Sequence, residues 1–332
     1  MGGPRKHHYV AAFYQRNFVN EKGLLWVYDR WRQCYTELNP TSVCAETDLY
    51  SLKRDGANDP LVEIKVLSPI DEMGATAIRR LRSEGMVDRA AIACFVGFQS
   101  TRLPSAAKII RELHERAANA VMQMTAATEE RMQATIDNYV RQTGKSIDVS
   151  AGSLVEAVQG NQLELTATKR VSLESMVEQA KFVSDFLETR PWQILESGAD
   201  SGFLICDNPV TVVPPYGVND IGFGIPGTVT YFPLTRRLCL RIGGNGPNLD
   251  SRPVDRNTVR VINRNITANS ERFIMGPLKV QLEIIIAETE TAQRPAGPRA
   301  SIEVDGTPLS GGTIQFKVHP REHFYLDTQE TA

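Results

Sequence analysis

Two of the chain's five histidines, His7 and His8, stand side by side in the stretch KHHYVAAFYQRNF (residues 6–18), with Tyr9, Tyr14 and Arg16 close behind. Histidine is the side chain whose ordinary pKa lets it move a proton near neutral pH. Arginine offers a rigid fork of donors to a phosphate or carboxylate. Together these residue types suit acid–base chemistry on an anion, or an anion clamp. They also suit a plainer task, tying an N-terminal segment to a core, because chain ends fray unless something holds them.

Other candidates are weaker. Glu63-Ile64-Lys65 has the spacing of a restriction-type nuclease strand, with Asp48 upstream as second carboxylate and Mg²⁺ between them. Val62, Ile64 and Val66 would then alternate with Glu63 and Lys65, but the same charges could be a solvated face. HPREH (319–323) sets two histidines four apart, yet its glutamate is misplaced for a zincin helix and a proline intervenes. Gly222, Gly224 and Gly227 spell GxGxxG, but Pro226 and the strand-like TVTYF follow where a dinucleotide site needs a helix. There is no GxxxxGK[ST] and no GxSxG, which disfavours P-loop NTPases and standard α/β-hydrolases.

These residues need a scaffold. GLLWVYDRWRQCYTELNP (23–40) alternates as two short strands around a turn at Arg30–Arg32. SPIDEMGATAIRRLRSEG reads as a helix with Ser68 as N-cap and Pro69 first inside it. AAIACFVGFQSTR reads as a buried helix. Residues 105–143 hold no Gly or Pro, and Ile110, Leu113, Ala117, Val121, Met124, Met132, Ile136 and Tyr139 mark one helical face. One unbroken helix there would reach about 55 Å, so a break near Thr125–Glu129 is expected, with Gly144 as stop. Core packing is the preferred use of this stripe; pairing two copies into a homodimer is the alternative. A further helix should start near Ser172 and pass Leu187. Beyond residue 200, β-branched runs bounded by Gly and Pro take over, and SIEVDGTPLSGGTIQFKV reads as a terminal hairpin. The expected class is α+β: short N-terminal strands, a helical middle and a β-rich C-terminal half. A boundary near 198–202 would give domains 1–200 and 201–332, unless the chain is one continuous domain.

Net charge is −2, so the basic excess of a duplex-binding protein is absent overall. Arg79, Arg80 and Arg82 cluster, as do Arg236 and Arg237. The five cysteines lack a CxxC pair, which argues against zinc and for reduced thiols in the cytosol. The start has no hydrophobic signal core, and Pro4 and Lys6 argue against myristoylation at Gly2. No run of about 18 apolar residues exists, so a cytoplasmic protein without a membrane partner is expected.

The opening stretch resembles the start of a mainly bacterial family known as domain of unknown function 4238 (DUF4238). His8, Tyr9, Val10, Phe13, Tyr14, Arg16 and Phe18 match it, with Ala11 where proline is usual and Gln15 where leucine is. The order continues with Leu25–Asp29, then Val43–Glu46 leading to Asp48 and Tyr50. A helical tryptophan like Trp192 follows, then a Ser-Asp-Asn-Pro element matched by Cys206-Asp207-Asn208-Pro209, then Pro233-Leu234 and Asn263. The resemblance spans about residues 6–275. It implies that Glu63 and Glu72 lie on a helix, which lowers the Mg²⁺ reading. It also implies an intracellular bacterial effector or sensor, since similar proteins are associated with anti-phage defence.

Asp207 and Asn208 close an apolar strand, where side chains can converge. Two arrangements are open. In one, aromatics of the opening segment fill a groove while His8 and Arg16 satisfy Asp207. In the other, His8, Arg16 and Asp207 are catalytic, and His7, Tyr9, Tyr14, Glu46 and Asn208 bind the substrate. The second suits acid–base cleavage of a phosphodiester without an obligatory metal: histidine takes the nucleophile's proton and arginine faces the phosphorane. RNA is the easier substrate among nucleic acids and nucleotides, because its 2′-OH supplies the nucleophile. A non-enzymatic ligand- or protein-binding module is the alternative.

Overall fold

The computed structural model describes residues 5–54, 57–163, 165–218, 222–244, 249–290, 300–305 and 313–318, without the side chains of 54, 57, 300–305 and 313–318. The chain forms two compact units, one from 1–106, 173–299 and 318–332, the other from 107–172 and 300–317. Strands on either side of position 200 share one sheet of the first unit.

The first unit begins with β1 (Lys6–His8), the short α1 (Ala12–Gln15) and a 3₁₀ turn (Arg16–Phe18). The expected hairpin follows as β2 (Leu25–Asp29) and β3 (Cys34–Leu38), paired from Leu25↔Leu38 to Asp29↔Cys34. Next come β4 (Ala45–Thr47), β5 (Leu52–Arg54) and β6 (Ala57–Asp59); the turn expected at Asp55-Gly56 lies outside the described residues.

The helix expected at Ser68 is already under way there. Asp59 accepts the Leu61 amide at 3.1 Å, and a π-turn (Glu63–Leu67) runs directly into α2 (Ser68–Glu84). The Ser68 amide donates to the Glu63 carbonyl five residues back. The wide turn has a cause in sequence: Pro69 has no N–H for the Lys65 carbonyl and its ring would crowd that oxygen. Glu63 and Glu72 therefore lie on a helix, as the resemblance implied, and the strand needed for the nuclease triplet is not formed.

Asp88 caps α3 (Arg89–Thr101), the buried apolar helix. Gly74 lets α2 approach it, since a Cβ there would sit 2.7 Å from the Phe95 ring. α4 (Pro104–Thr125) and α5 (Glu129–Thr143) are separated at the expected break, and Gly144 ends α5 with φ 68°. With α6 (Ala151–Gln159), α5 builds the second unit's small core from Ala126, Met132, Ile136, Ala151 and Val158. Only part of the apolar stripe is used there: Val121, Met124 and Tyr139 are exposed.

α7 (Lys169–Glu188) follows. Trp192, expected in a helix, instead opens β7 (Trp192–Ser197), because Pro191 stops the helix; its indole N–H donates to the Leu187 carbonyl in the last turn of α7. The remaining elements are β8 (Ile205–Cys206), β9 (Thr211–Val213), β10 (Val229–Pro233), β11 (Leu238–Gly243), β12 (Leu249–Val254), α8 (Arg256–Asn269), β13 (Phe273–Gly276) and α9 (Lys279–Glu290). Gly222–Gly227 form a loop before β10, as expected. β14 (Ala300–Asp305) and β15 (Thr313–Val318) pair as the expected hairpin; its turn and HPREH lie outside the described residues.

Two sheets frame the first unit, a five-stranded one in the order β12-β7-β11-β10-β9 and a four-stranded one in the order β3-β2-β13-β8. Its core gathers Tyr14, Phe18, Phe95, Phe203, Trp192 and Phe232, all fully buried. The fold is thus α+β with long helices through the middle of the sequence. No helix among the described residues is long and apolar enough to cross a membrane.

Candidate functional site

β1 pairs antiparallel with β4, placing His7 opposite Glu46 and His8 opposite Ala45. Strand alternation then sends the two imidazoles to opposite sides. His7 is fully buried: its Nδ1 accepts the Tyr50 amide at 2.9 Å and its ring stacks on that of Tyr50 with centroids 5.7 Å apart. His8 is half-buried, with Nε2 3.2 Å from the Thr41 carbonyl oxygen. A carbonyl only accepts, so Nε2 carries the hydrogen and Nδ1 keeps its lone pair. Burial lowers the His8 pKa below its ordinary 6.5, the Thr41 contact opposing, and Lys6 and Arg102 push the same way as burial. His8 is therefore neutral at neutral pH.

The next residues go inward. Tyr9, Val10, Ala11, Tyr14 and Phe18 are buried, and each large apolar side chain so placed contributes about 2 kcal/mol. The Tyr14 hydroxyl donates to the Pro233 carbonyl at 2.7 Å, and its ring stacks on Phe232. Gln15, where leucine is usual, donates to the carbonyls of Val10 (2.7 Å) and Val43 (3.2 Å). Ala11 has φ −52°, an angle the usual proline would hold by its ring. Arg16 and Glu46 are exposed.

Asp207 is buried and anchors main chain. Its carboxylate accepts the amides of Glu271 (2.9 Å), Arg272 (2.7 Å) and Phe273 (3.0 Å), fixing the turn into β13. Burial pushes its pKa up to about 6, against those three donors. The Arg272 guanidinium turns away to Asp29 at 2.7 Å. The Asn208 carbonyl accepts from the Asn269 amide group at 2.7 Å. Tyr9 is the part of the opening segment that meets this region: Asp207 acts on its hydroxyl, which bonds to the Cys44 thiol, and burial raises its pKa far above the ordinary value. Asp207 thus draws its hydrogen bonds from main chain, where the sequence had suggested His8 and Arg16.

A different set of groups surrounds His8. Arg102, just past the end of α3, is 1% exposed. Its Nη1 donates to Asp71 at 2.7 Å, its Nη2 to the Gln99 side chain and its Nε to the Tyr9 carbonyl at 3.2 Å. Gln99 donates to the same Tyr9 carbonyl at 2.7 Å, and the Tyr50 hydroxyl donates to the Arg102 carbonyl. Arg102 and Asp71 act on His8 and also on Glu63, which lies on the π-turn. Burial pushes the Glu63 carboxyl up to about 7, Arg102 opposing and Asp71 adding to the rise. Its Oε2 is buried and makes no hydrogen bond. π-turns recur at functional sites, and groups with displaced pKa values cluster there.

Arg102, Gln99 and the role of Asp71 were missed in the sequence. A signal was present: Gln99, near the end of a largely apolar helix, and Arg102, just past it, stand three apart, which puts both on one face and demands buried partners. As for metals, Asp48 pairs with Arg5 at 2.9 Å, and among the described residues no group of three or more His, Cys, Asp or Glu is placed to hold one. All five cysteines are free, and Cys44, Cys206 and Cys239 are buried.

A family model described as "Protein of unknown function (DUF4238)" matches residues 6–278. No curated protein and no solved structure matches the chain. With the family model covering most of its length, the chain belongs to the DUF4238 family.

Proposed function

We propose that this protein is a nuclease that cleaves phosphodiesters, with RNA as substrate, working by acid–base chemistry that needs no metal. The carrying observation is His8: one nitrogen is committed to a carbonyl, so the other is held as an oriented, unprotonated base. Its Nδ1 takes the proton of the 2′-OH as that oxygen attacks phosphorus. Exposed Arg16 is the cation assigned to the phosphorane charge. The setting proposed is the cytoplasm of a bacterial cell, as an effector in anti-phage defence.

One observation favours a second reading. Tyr9, Tyr14 and Gln15 hold the opening segment down, and Asp207 is committed to main chain. A non-enzymatic sensor module would need no more from them. Expression in a bacterial host separates the two. The enzyme reading expects growth arrest with degraded RNA, and His8→Ala abolishing both while leaving the melting temperature within about 2 °C. Intact RNA and unchanged nucleotide pools would favour the sensor.

A further inference from the structure

We infer that Glu63 is the proton donor to the leaving oxygen in that chemistry, an assignment that rests on the phosphodiester reading. Three features of its placement point there. Its Oε2 is buried and makes no hydrogen bond, which is costly to maintain and leaves one oxygen for a partner the fold does not supply. The π-turn that carries it departs from the regular helix just before Pro69, so the side chain is held where an α-turn would not put it. The Arg102–Asp71 ion pair acts electrostatically on both Glu63 and His8, and Arg102 also donates to the carbonyl of Tyr9, the residue that follows His8. Arg102 is 1% exposed and already donates to Asp71, Gln99 and the Tyr9 carbonyl, so it positions the groups and does not touch substrate.

The step balances. The 2′-oxygen loses its proton to His8 Nδ1 and bonds to phosphorus. The bond from phosphorus to the 5′-oxygen breaks, and that oxygen takes the proton from Glu63. The products are a 2′,3′-cyclic phosphate and a 5′-hydroxyl, with His8 as imidazolium and Glu63 as carboxylate until water exchanges their protons. The reacting state has a neutral imidazole and a protonated carboxyl, and both forms are available near neutral pH. The charged and titratable groups acting on Glu63 are Arg102 from the end of α3 and Asp71 from α2, and Tyr50 also interacts with it; those on His8 are Lys6, Arg102 and Asp71.

The test uses the purified full chain on two substrates, an RNA dinucleotide and a nucleoside 3′-(4-nitrophenyl phosphate). Nitrophenolate leaves without a proton, so it bypasses a general acid. E63Q should lose about 100-fold or more in kcat/KM on the dinucleotide and only a few-fold on the nitrophenyl ester. H8A should lose on both. In the wild type, kcat/KM on the dinucleotide should fall as pH rises through about 7, because the protonated carboxyl is the active form; this holds even if the variant fails to fold. E63Q equal to wild type on the dinucleotide, equal losses on both substrates, or a wild-type profile flat to pH 9 would overturn the role of Glu63 alone. A wild type silent on both substrates would overturn the phosphodiester reading itself, and this role with it.

Discussion

Three main-chain amides converge on Asp207, a pattern that suits a buried carboxylate anchoring the turn at a strand end. A carboxylate can accept on both oxygens, whereas an amide presents a donor on one side. Asp207→Asn must turn its NH₂ toward at least one backbone N–H, and bonds to a charged acceptor are worth about 2 kcal/mol each. The expected result is a loss of about 3 kcal/mol by denaturant titration, with the Tyr9 region loosened. Unchanged stability together with lost activity would make Asp207 catalytic after all. The residue types at this scale were legible in the sequence, and their partners were not. Asp71 lies 31 positions from Arg102 and the Tyr9 carbonyl 93 positions. Nothing in a local window ties such groups together. The adjacent histidines show the same limit: strand alternation separates them, but only the fold shows that one is locked under Tyr50 while the other keeps a free nitrogen.

Elements were easier to read, because their signals are local. The alternation of β2 and β3 and the glycine stop of α5 rest on periodicity and on backbone groups that need partners. Two element readings differ from the structure, each beside a proline. Pro69 was taken for the first residue of α2, yet the helix begins upstream and passes it through a π-turn. Pro191 ends α7 cleanly and frees Trp192 to begin β7. Interhelix spacing was not legible at all. Gly97 on α3 lies against α7, where a Cβ would stand 2.6 Å from the Ala180 carbonyl oxygen and also meet Ser184. Backbone cannot yield as a side chain tip can, so Gly97→Ala should cost about 2 kcal/mol despite alanine's better helix propensity. A melting temperature equal to or above wild type would show that the α3–α7 contact is looser than described.

For the whole molecule, the change of texture near residue 200 suggested a division that follows the sequence. The units instead interleave: the first takes its strands and helices from both sides of the second. A composition shift marks a change of element type, not a unit boundary, and β7 and β11 pair across it. The two units can be watched separately. All three tryptophans, Trp26, Trp31 and Trp192, belong to the first unit, while the second is mostly helical with its own core around Met132 and Ile136. Ile136→Asp puts a charge into that small core and should lower the melting midpoint seen by far-ultraviolet circular dichroism, leaving the tryptophan fluorescence midpoint within about 2 °C. Coincident shifts in both signals would mean the units unfold as one.

Whether His8 acts as a base on a phosphodiester is answered by RNA cleavage with the purified protein in excess EDTA and analysis of the product ends. The wild type should leave 2′,3′-cyclic phosphate and 5′-hydroxyl ends, and a folded His8→Ala variant, if His8 is the base, should react about 100-fold more slowly or worse. RNA left intact by a folded wild-type protein, or cleaved equally well by His8→Ala, would contradict that role.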